Sequence, residues 1–288
     1  MEHKNNIRYF NTLTTPSGKE CKLYEITNKD YLVLLKFLQS ENYEYFFKTL
    51  DSFIEESIPD LTELNIIDRM YVYIAFCYYN IHPTIPVTHP KIGSTDLELS
   101  KILEDIENNY NFDEKIFDIT DKIQVKAHYA RDFHFENNIP VIDYGTCIKE
   151  IKKEKWEKIT KENSEQLIET IQTDLAIKIE MFSRKNLSKR INAFNLPMMD
   201  PVYVDINSEE IIYLVYSLFK ENLQSYYTEL YISIHYLKLD KQGFDSLTPV
   251  ETSIILKAMA DDKEKQNKEM KKGSGLSIPS AVNEDSMF

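Results

Sequence analysis

Between residues 31 and 78 the apolar residues fall into three sets: Tyr31, Leu34, Leu35 and Leu38; Tyr43, Phe46, Phe47, Leu50 and Ile54; and Leu64, Ile67, Tyr71, Ile74 and Tyr78. Steps of three and four put each set on one face of a helix, the second ending before Pro59 and the third beginning near Thr62. Ahead of them, Ile7–Thr15 and Cys21–Ile26 are short runs of β-formers separated by Pro16-Ser17-Gly18-Lys19. Proline presets φ and glycine supplies the positive φ of a tight turn, so a hairpin is expected there. Thr27 followed three residues later by Asp30 has the spacing of a reciprocal helix cap. A hairpin is marginal alone in water, and three amphipathic helices give it a surface to cover. Residues 1–82 are therefore expected to form one unit.

Three prolines between His82 and Pro90 point to a boundary or an extended connector, because proline cannot extend a helix and pushes its predecessor towards extended backbone. Residues 83–155 read as a small β-containing middle region. Leu97–Ile106 is compatible with a helix, and Lys115–Ile119, Lys122–Phe135 and Ile139–Tyr144 with strands. From Trp156 the helical period returns. Asn163 and Gln166 have cap spacing, and Ile168, Ile171, Leu175, Ile179 and Phe182 form one stripe. A strand is expected at Val202–Asp205, followed by a cap at Asn207 and Glu210. The stripe at Ile211, Leu214, Val215, Leu218 and Phe219 continues through Leu223, Tyr226, Leu230, Ile234 and Leu237, as one bent helix or a helical hairpin. Gly243 reads as a C-terminal break. Leu247-Thr248-Pro249-Val250-Glu251 is the sharpest local signal: threonine caps, proline takes the first helical position, and glutamate reaches back. The helix it opens is apolar at Val250, Ile254, Ile255 and Met259 and charged from Asp261 to Lys272, a solvated arm. Residues 156–272 are thus a helical region, and 273–288 a flexible tail after Gly273-Ser274-Gly275. The fold class expected is α+β and predominantly helical.

Composition narrows the function mainly by exclusion. The 288 residues carry 34 Lys+Arg against 47 Asp+Glu, a net charge of −13, and only six glycines. Glycines at 18, 93, 145, 243, 273 and 275 cannot be arranged into a dinucleotide fingerprint or a phosphate-cradling loop, and no zinc-protease helix, nucleophile elbow or calcium loop is written in the chain. The acidic balance counts against a general nucleic-acid binder. No basic start leads into an apolar core, and the longest apolar run, Met70–Tyr79, is far short of the roughly 18 residues that cross a bilayer, so neither a signal peptide nor a membrane partner is expected. Cys21, Cys77 and Cys147 are widely separated, which suits buried free thiols in a reducing cytoplasm.

One set of residues has metal-ligand chemistry. In a strand covering 128–134, His128, Asp132 and His134 share a face by period-two alternation, and two imidazoles with a carboxylate can hold divalent iron. The plainer reading is the polar, solvent-facing side of a sheet. His82 and His89 lie between prolines without a third ligand. The pairs Glu55-Glu56, Glu209-Glu210 and Asp261-Asp262 fit hydrated helix surfaces, and the lysines at 149, 152, 153 and 155 are interleaved with glutamates, which makes a poor phosphate track. No cofactor is expected. The tail places Leu276, Ile278, Pro279, Met287 and Phe288 after a glycine linker, either as a plain terminal segment or as apolar anchors that fold onto a partner.

The segments Leu13-Thr14-Thr15-Pro16-Ser17-Gly18-Lys19-Glu20, Leu23-Tyr24-Glu25-Ile26-Thr27-Asn28-Lys29-Asp30-Tyr31 and Leu64-Asn65-Ile66-Ile67-Asp68-Arg69 resemble those of the T-even-type phage baseplate hub assembly proteins. The likeness spans about residues 7–81. It implies a tail-assembly role without enzymatic activity, exercised through contacts with hub and tape-measure proteins, in the host cytoplasm during assembly or in the virion baseplate. The competing readings from the residues are a metal-dependent enzyme using His128, Asp132 and His134, and a cytoplasmic helical adaptor.

Overall fold

In the computed structural model, residues 10–55, 58, 61–89, 93–110, 113–185, 190–194, 202–205, 210–219 and 223–273 are described. Strands Phe10–Thr14 (β1) and Glu20–Tyr24 (β2) pair antiparallel with Leu13 opposite Cys21. Gly18 holds the turn at φ +89°, a value that a Cβ makes costly, and its N–H closes on Thr15 O at 2.8 Å. Period two turns Leu13, Cys21 and Leu23 inward. Helix Asn28–Gln39 (α1) opens on the expected cap: Asp30 N–H donates to Thr27 Oγ1 at 3.3 Å, and Thr27 N–H donates to Asp30 Oδ2 at 3.1 Å. Helix Tyr43–Ile54 (α2) buries Phe46, Phe47, Leu50 and Ile54.

The third helix, Ile66–Asn80 (α3), goes beyond the single stripe anticipated. Every residue from Ile66 to Cys77 is buried, and the helix starts after Asn65, whose Oδ1 accepts from the Ile67 and Asp68 N–H groups at 3.0 Å. Leu61–Glu63 forms a separate 3₁₀ turn. A helix that is apolar on all sides belongs at a centre, and each large side chain so buried contributes about 1.5–3 kcal/mol. The main core gathers around α3. It includes the hairpin, α1, α2, helix Leu99–Asn109 (α4) and helix Glu210–Leu218 (α7), with Phe133, Ile142, Tyr226 and Phe244.

The proline-rich stretch is extended, as expected, and also paired: Thr84–His89 (β3) forms a hairpin with Gly93–Glu98 (β4), with Pro86 opposite Asp96. A two-stranded ribbon leaves each strand an open side, where a missing N–H is tolerated. Lys115–Thr120 (β5) and Ile123–Ala127 (β6) are joined by Ile148–Lys152 (β9) and Trp156–Lys158 (β10) in an antiparallel sheet of order β10-β9-β6-β5. The strand anticipated over Lys122–Phe135 breaks at His128–Asp132; Phe133–Glu136 (β7) pairs separately with Ile139–Ile142 (β8). Tyr144 therefore begins a 3₁₀ turn and does not extend a strand.

Trp156 lies in edge strand β10, not in a helix, with Lys126 Nζ 4.6 Å from its ring centroid. The following stripe is two helices, Lys161–Thr170 (α5) and Thr173–Lys185 (α6). Thr160, not Asn163, caps the first, its Oγ1 accepting the Asn163 N–H at 3.3 Å. These helices and the sheet enclose a second core of Phe117, Val125, Cys147, Ile148, Ile168 and Ile179. Val202–Asp205 (β12) forms where expected and pairs with Arg190–Phe194 (β11), which was not anticipated. Asn207 lies outside the described residues.

The two-way reading of residues 211–237 resolves as separate helices, α7 packing on α3 and Leu223–Tyr236 (α8) on α1. Gly243 is not a break. It lies inside Lys241–Ser246 (α9), where its N–H donates to the cap Asp240 Oδ1 at 2.6 Å. Helix Pro249–Gly273 (α10) opens on the Thr248–Glu251 box, with reciprocal bonds of 2.8 and 3.1 Å. Pro249 and Thr252 are buried at its start, whereas Ile254 is 63 % exposed. Residues 261–268 are exposed, as the charged arm predicts.

Candidate functional site

The segments that carry the family resemblance meet in space. Ser17 N–H, on the hairpin turn, donates to Asp68 Oδ1 at 3.0 Å, so the turn docks on the N-terminus of α3. Asn65 Nδ2 donates to Asp68 Oδ2 at 2.7 Å and to the Tyr110 hydroxyl at 2.9 Å. Burial raises the Asp68 carboxyl above its ordinary value, against the pull of the Ser17 hydrogen bonds, Lys19 and Asn65. Asn28, in the next segment, is buried. Its backbone N–H donates to Leu247 O at 2.7 Å, and its Nδ2 to Phe244 O at 3.0 Å and Thr252 Oγ1 at 2.7 Å. The start of α1 is thereby tied to α9 and the base of α10.

Arg69 crosses the same region. Its Nη2 donates to Asp51 at 2.5 Å, Nη1 to Asp132 at 3.1 Å and Nε to the Tyr73 hydroxyl at 2.7 Å, while that hydroxyl donates to Asp51. Lys161 Nζ reaches the other Asp132 oxygen at 2.5 Å. Burial works against the Arg69 charge, but Tyr73, Asp51 and Asp132 more than offset it, so the guanidinium stays charged. The network links α2, α3, the loop before β7 and α5. Sequence reasoning assigned none of Asp51, Asn65, Asp68 or Arg69 a role. The available clue was the presence of Asp68 and Arg69 inside an apolar helix, since charges are seldom fully buried unless paired.

Arg131 holds the break between β6 and β7. All five of its guanidinium donors are used: Nε on Thr146 O, Nη1 on Glu63 and Ile159 O, and Nη2 on Ile148 O and Thr160 O, at 2.8–3.0 Å. Beside it opens a cleft of about 530 Å³, bounded by the hairpin turn, the start of α3, the 128–131 loop and strands β9 and β10. Asp68, Tyr110, Tyr129 and Arg131 are buried residues of its lining, and Lys19, Lys149 and Lys158 are exposed ones.

The candidate metal triad of His128, Asp132 and His134 is not assembled. The strand break removes the shared face, and each member has other company. Asp132 is engaged by Arg69 and Lys161; His134 bonds Asp143 at 2.8 Å and Glu136 at 3.2 Å; His128 lies against the Tyr110 and Tyr129 rings. Among the described residues, no group of three or more His, Cys, Asp or Glu side chains is placed to hold a metal ion. Leu276, Ile278, Pro279, Met287 and Phe288 lie outside the described residues. On α8, Tyr227, Tyr231 and Ile234 are exposed by 48 %, 56 % and 38 % and lie at i, i+4 and i+7 on one helix face. No helix among the described residues is long and apolar enough to cross a membrane.

Residues 7–195, more than half of the chain, match the family described as T4 bacteriophage base plate protein. No curated protein and no solved structure matches the chain. The chain belongs to the T4 baseplate protein family, and the role that follows is a structural one in the phage tail baseplate, in contact with other tail proteins.

Proposed function

We propose that this baseplate protein is an assembly factor of the central hub, binding hub and tape-measure proteins in the host cytoplasm while the tail is built, and that it works by contact, without catalysis. Membership of the baseplate family over residues 7–195 carries the reading. Two structural features support it. The buried charges of Asp51, Arg69 and Arg131 are spent on one another and on backbone carbonyls, which rigidifies a scaffold and leaves little to act on a substrate. The exposed Tyr227-Tyr231-Ile234 row on α8 offers the aromatic and aliphatic anchors from which protein contacts draw most of their energy. Leu276, Ile278, Pro279, Met287 and Phe288 are proposed as further anchors for a partner. Affinity capture of the tagged chain from infected cells should recover hub or tape-measure proteins. Recovery of neither, with both shown to be expressed, would sink the proposal.

A further inference from the structure

The cleft beside Arg131 has an electrostatic character that the whole chain lacks. Its three acidic lining residues are already committed: Glu63 to Arg131 at 3.0 Å, Glu150 to Lys126 at 2.7 Å, and Asp68 to Ser17 N–H and Asn65. Arg131 has no donor to spare, and Lys149 pairs with Glu114 at 2.9 Å. That leaves Lys19, on the hairpin turn, and Lys158, on edge strand β10; both are exposed and form no ion pair among the described residues. The lining sets four cations (Lys19, Arg131, Lys149 and Lys158) against three carboxylates (Glu63, Asp68 and Glu150), with Lys19 acting on Asp68, so a chain of net charge −13 presents a small positive excess at this cleft, over a lining that includes Tyr110 and Tyr129. A space of about 530 Å³ lies within the ~300–1,000 Å³ of ordinary ligand sites and admits several side chains.

We infer that this cleft is a docking site for an acidic segment of another tail protein, whose carboxylates are held by Lys19 and Lys158 and whose apolar atoms rest on Tyr110 and Tyr129. The inference rests on the contact-based function proposed above and adds the chemistry of one partner surface. The choice of an acidic occupant follows from charge complementarity. A basic segment would meet the exposed Lys19 and Lys158 ammonium groups, while Glu63 and Glu150 are already in ion pairs, and like charges at an interface suppress wrong partners.

The test uses the full chain and a fluorescent peptide of about ten residues alternating glutamate with tyrosine, with a lysine–tyrosine peptide as its counterpart. The glutamate peptide should bind, and more weakly as salt rises from about 50 to about 300 mM, because the contacts lie near the surface. Lys19→Glu/Lys158→Glu should weaken it by roughly tenfold or more, each cation contributing a factor of a few. Lys265→Glu/Lys268→Glu, an equal charge change on the α10 arm, should leave it unchanged. Thermal midpoints of both double variants confirm that they are folded. The proposal is overturned if the glutamate peptide does not bind, if both double variants lose binding equally, or if free glutamate binds as tightly as the peptide. Capture of tail proteins alongside a negative peptide result would remove the cleft's role and leave the proposed function standing.

Discussion

Replacing Arg131 by methionine keeps most of its length and removes every donor. Four backbone carbonyls, on Thr146, Ile148, Ile159 and Thr160, lose the Arg131 bond, together with the Glu63 carboxylate, although Thr160 O keeps the Ser164 N–H at 3.0 Å. Glu63 retains 36 % of its side-chain exposure and can rehydrate, so the carbonyls dominate the cost. Each bond to a charged group is worth about 1.5–3 kcal/mol net, but the bonds share a single desolvation of the guanidinium and do not add. Removing one partner of a buried ionic cluster typically costs about 3–5 kcal/mol, which for a chain of this size lowers Tm by about 6–20 °C. Circular dichroism follows the whole fold, and fluorescence of Trp156, the single tryptophan of the chain, follows edge strand β10. Both should show the drop, and Arg131→Lys should recover little of it, since one ammonium cannot span five acceptors. A shift below about 2 °C by both probes would refute the reasoning.

Other consequences can be checked separately. Gly18→Ala should cost about 1 kcal/mol although its Cβ would meet nothing within 4 Å, because the penalty lies in the φ of +89°; Gly18→Asn should cost less, and an equal loss would point elsewhere. Glu136, then Asp143, hold the His134 imidazolium above its ordinary value of 6.5 despite partial burial, so their contribution to stability is full below that value and fades as pH rises through the folded-state one. An NMR titration midpoint of His134 at or below 6.5 would contradict this, as would no fall in the midpoint for Glu136→Gln. Burial pushes the Cys21 thiol up to about 11 and that of Cys147 up to about 12, so neither should react with a thiol reagent at pH 8 until the protein unfolds; prompt native-state labelling of either would be inconsistent with the packing. Ending the chain after Lys272 should weaken capture of tail proteins, and unchanged capture would show that Leu276, Ile278, Pro279, Met287 and Phe288 are not anchors.

What was legible in the sequence was local. The hairpin, the cap at Thr27, the helix α2 and the Thr248 box each depend on residues within a few positions of one another, where spacing and turn chemistry decide the backbone. The strands β9 and β10 were missed because Ile148-Lys149-Glu150-Ile151-Lys152 reads as a basic cluster. Only its pairing with β6 explains the inward isoleucines, and that partner is over twenty residues away. The break at His128–Asp132 depends on Arg131 gathering carbonyls from Thr146 to Thr160, a non-local event that strand alternation cannot register. The metal triad failed for the same reason, since its alternation assumed the strand ran on. The candidate site was half visible: the turn at Ser17–Gly18 and the segment at Asn65–Arg69 were singled out for their likeness to a family, but their meeting through Asp68 is a tertiary fact.

The most direct test of a structural role in the baseplate is electron microscopy of cells infected by the encoding phage with an early stop codon in this gene. Filled heads without completed contractile-tail baseplates, restored when the chain is supplied from a plasmid, are the predicted result. Normal, infectious virions with complete baseplates and none of the protein would contradict it.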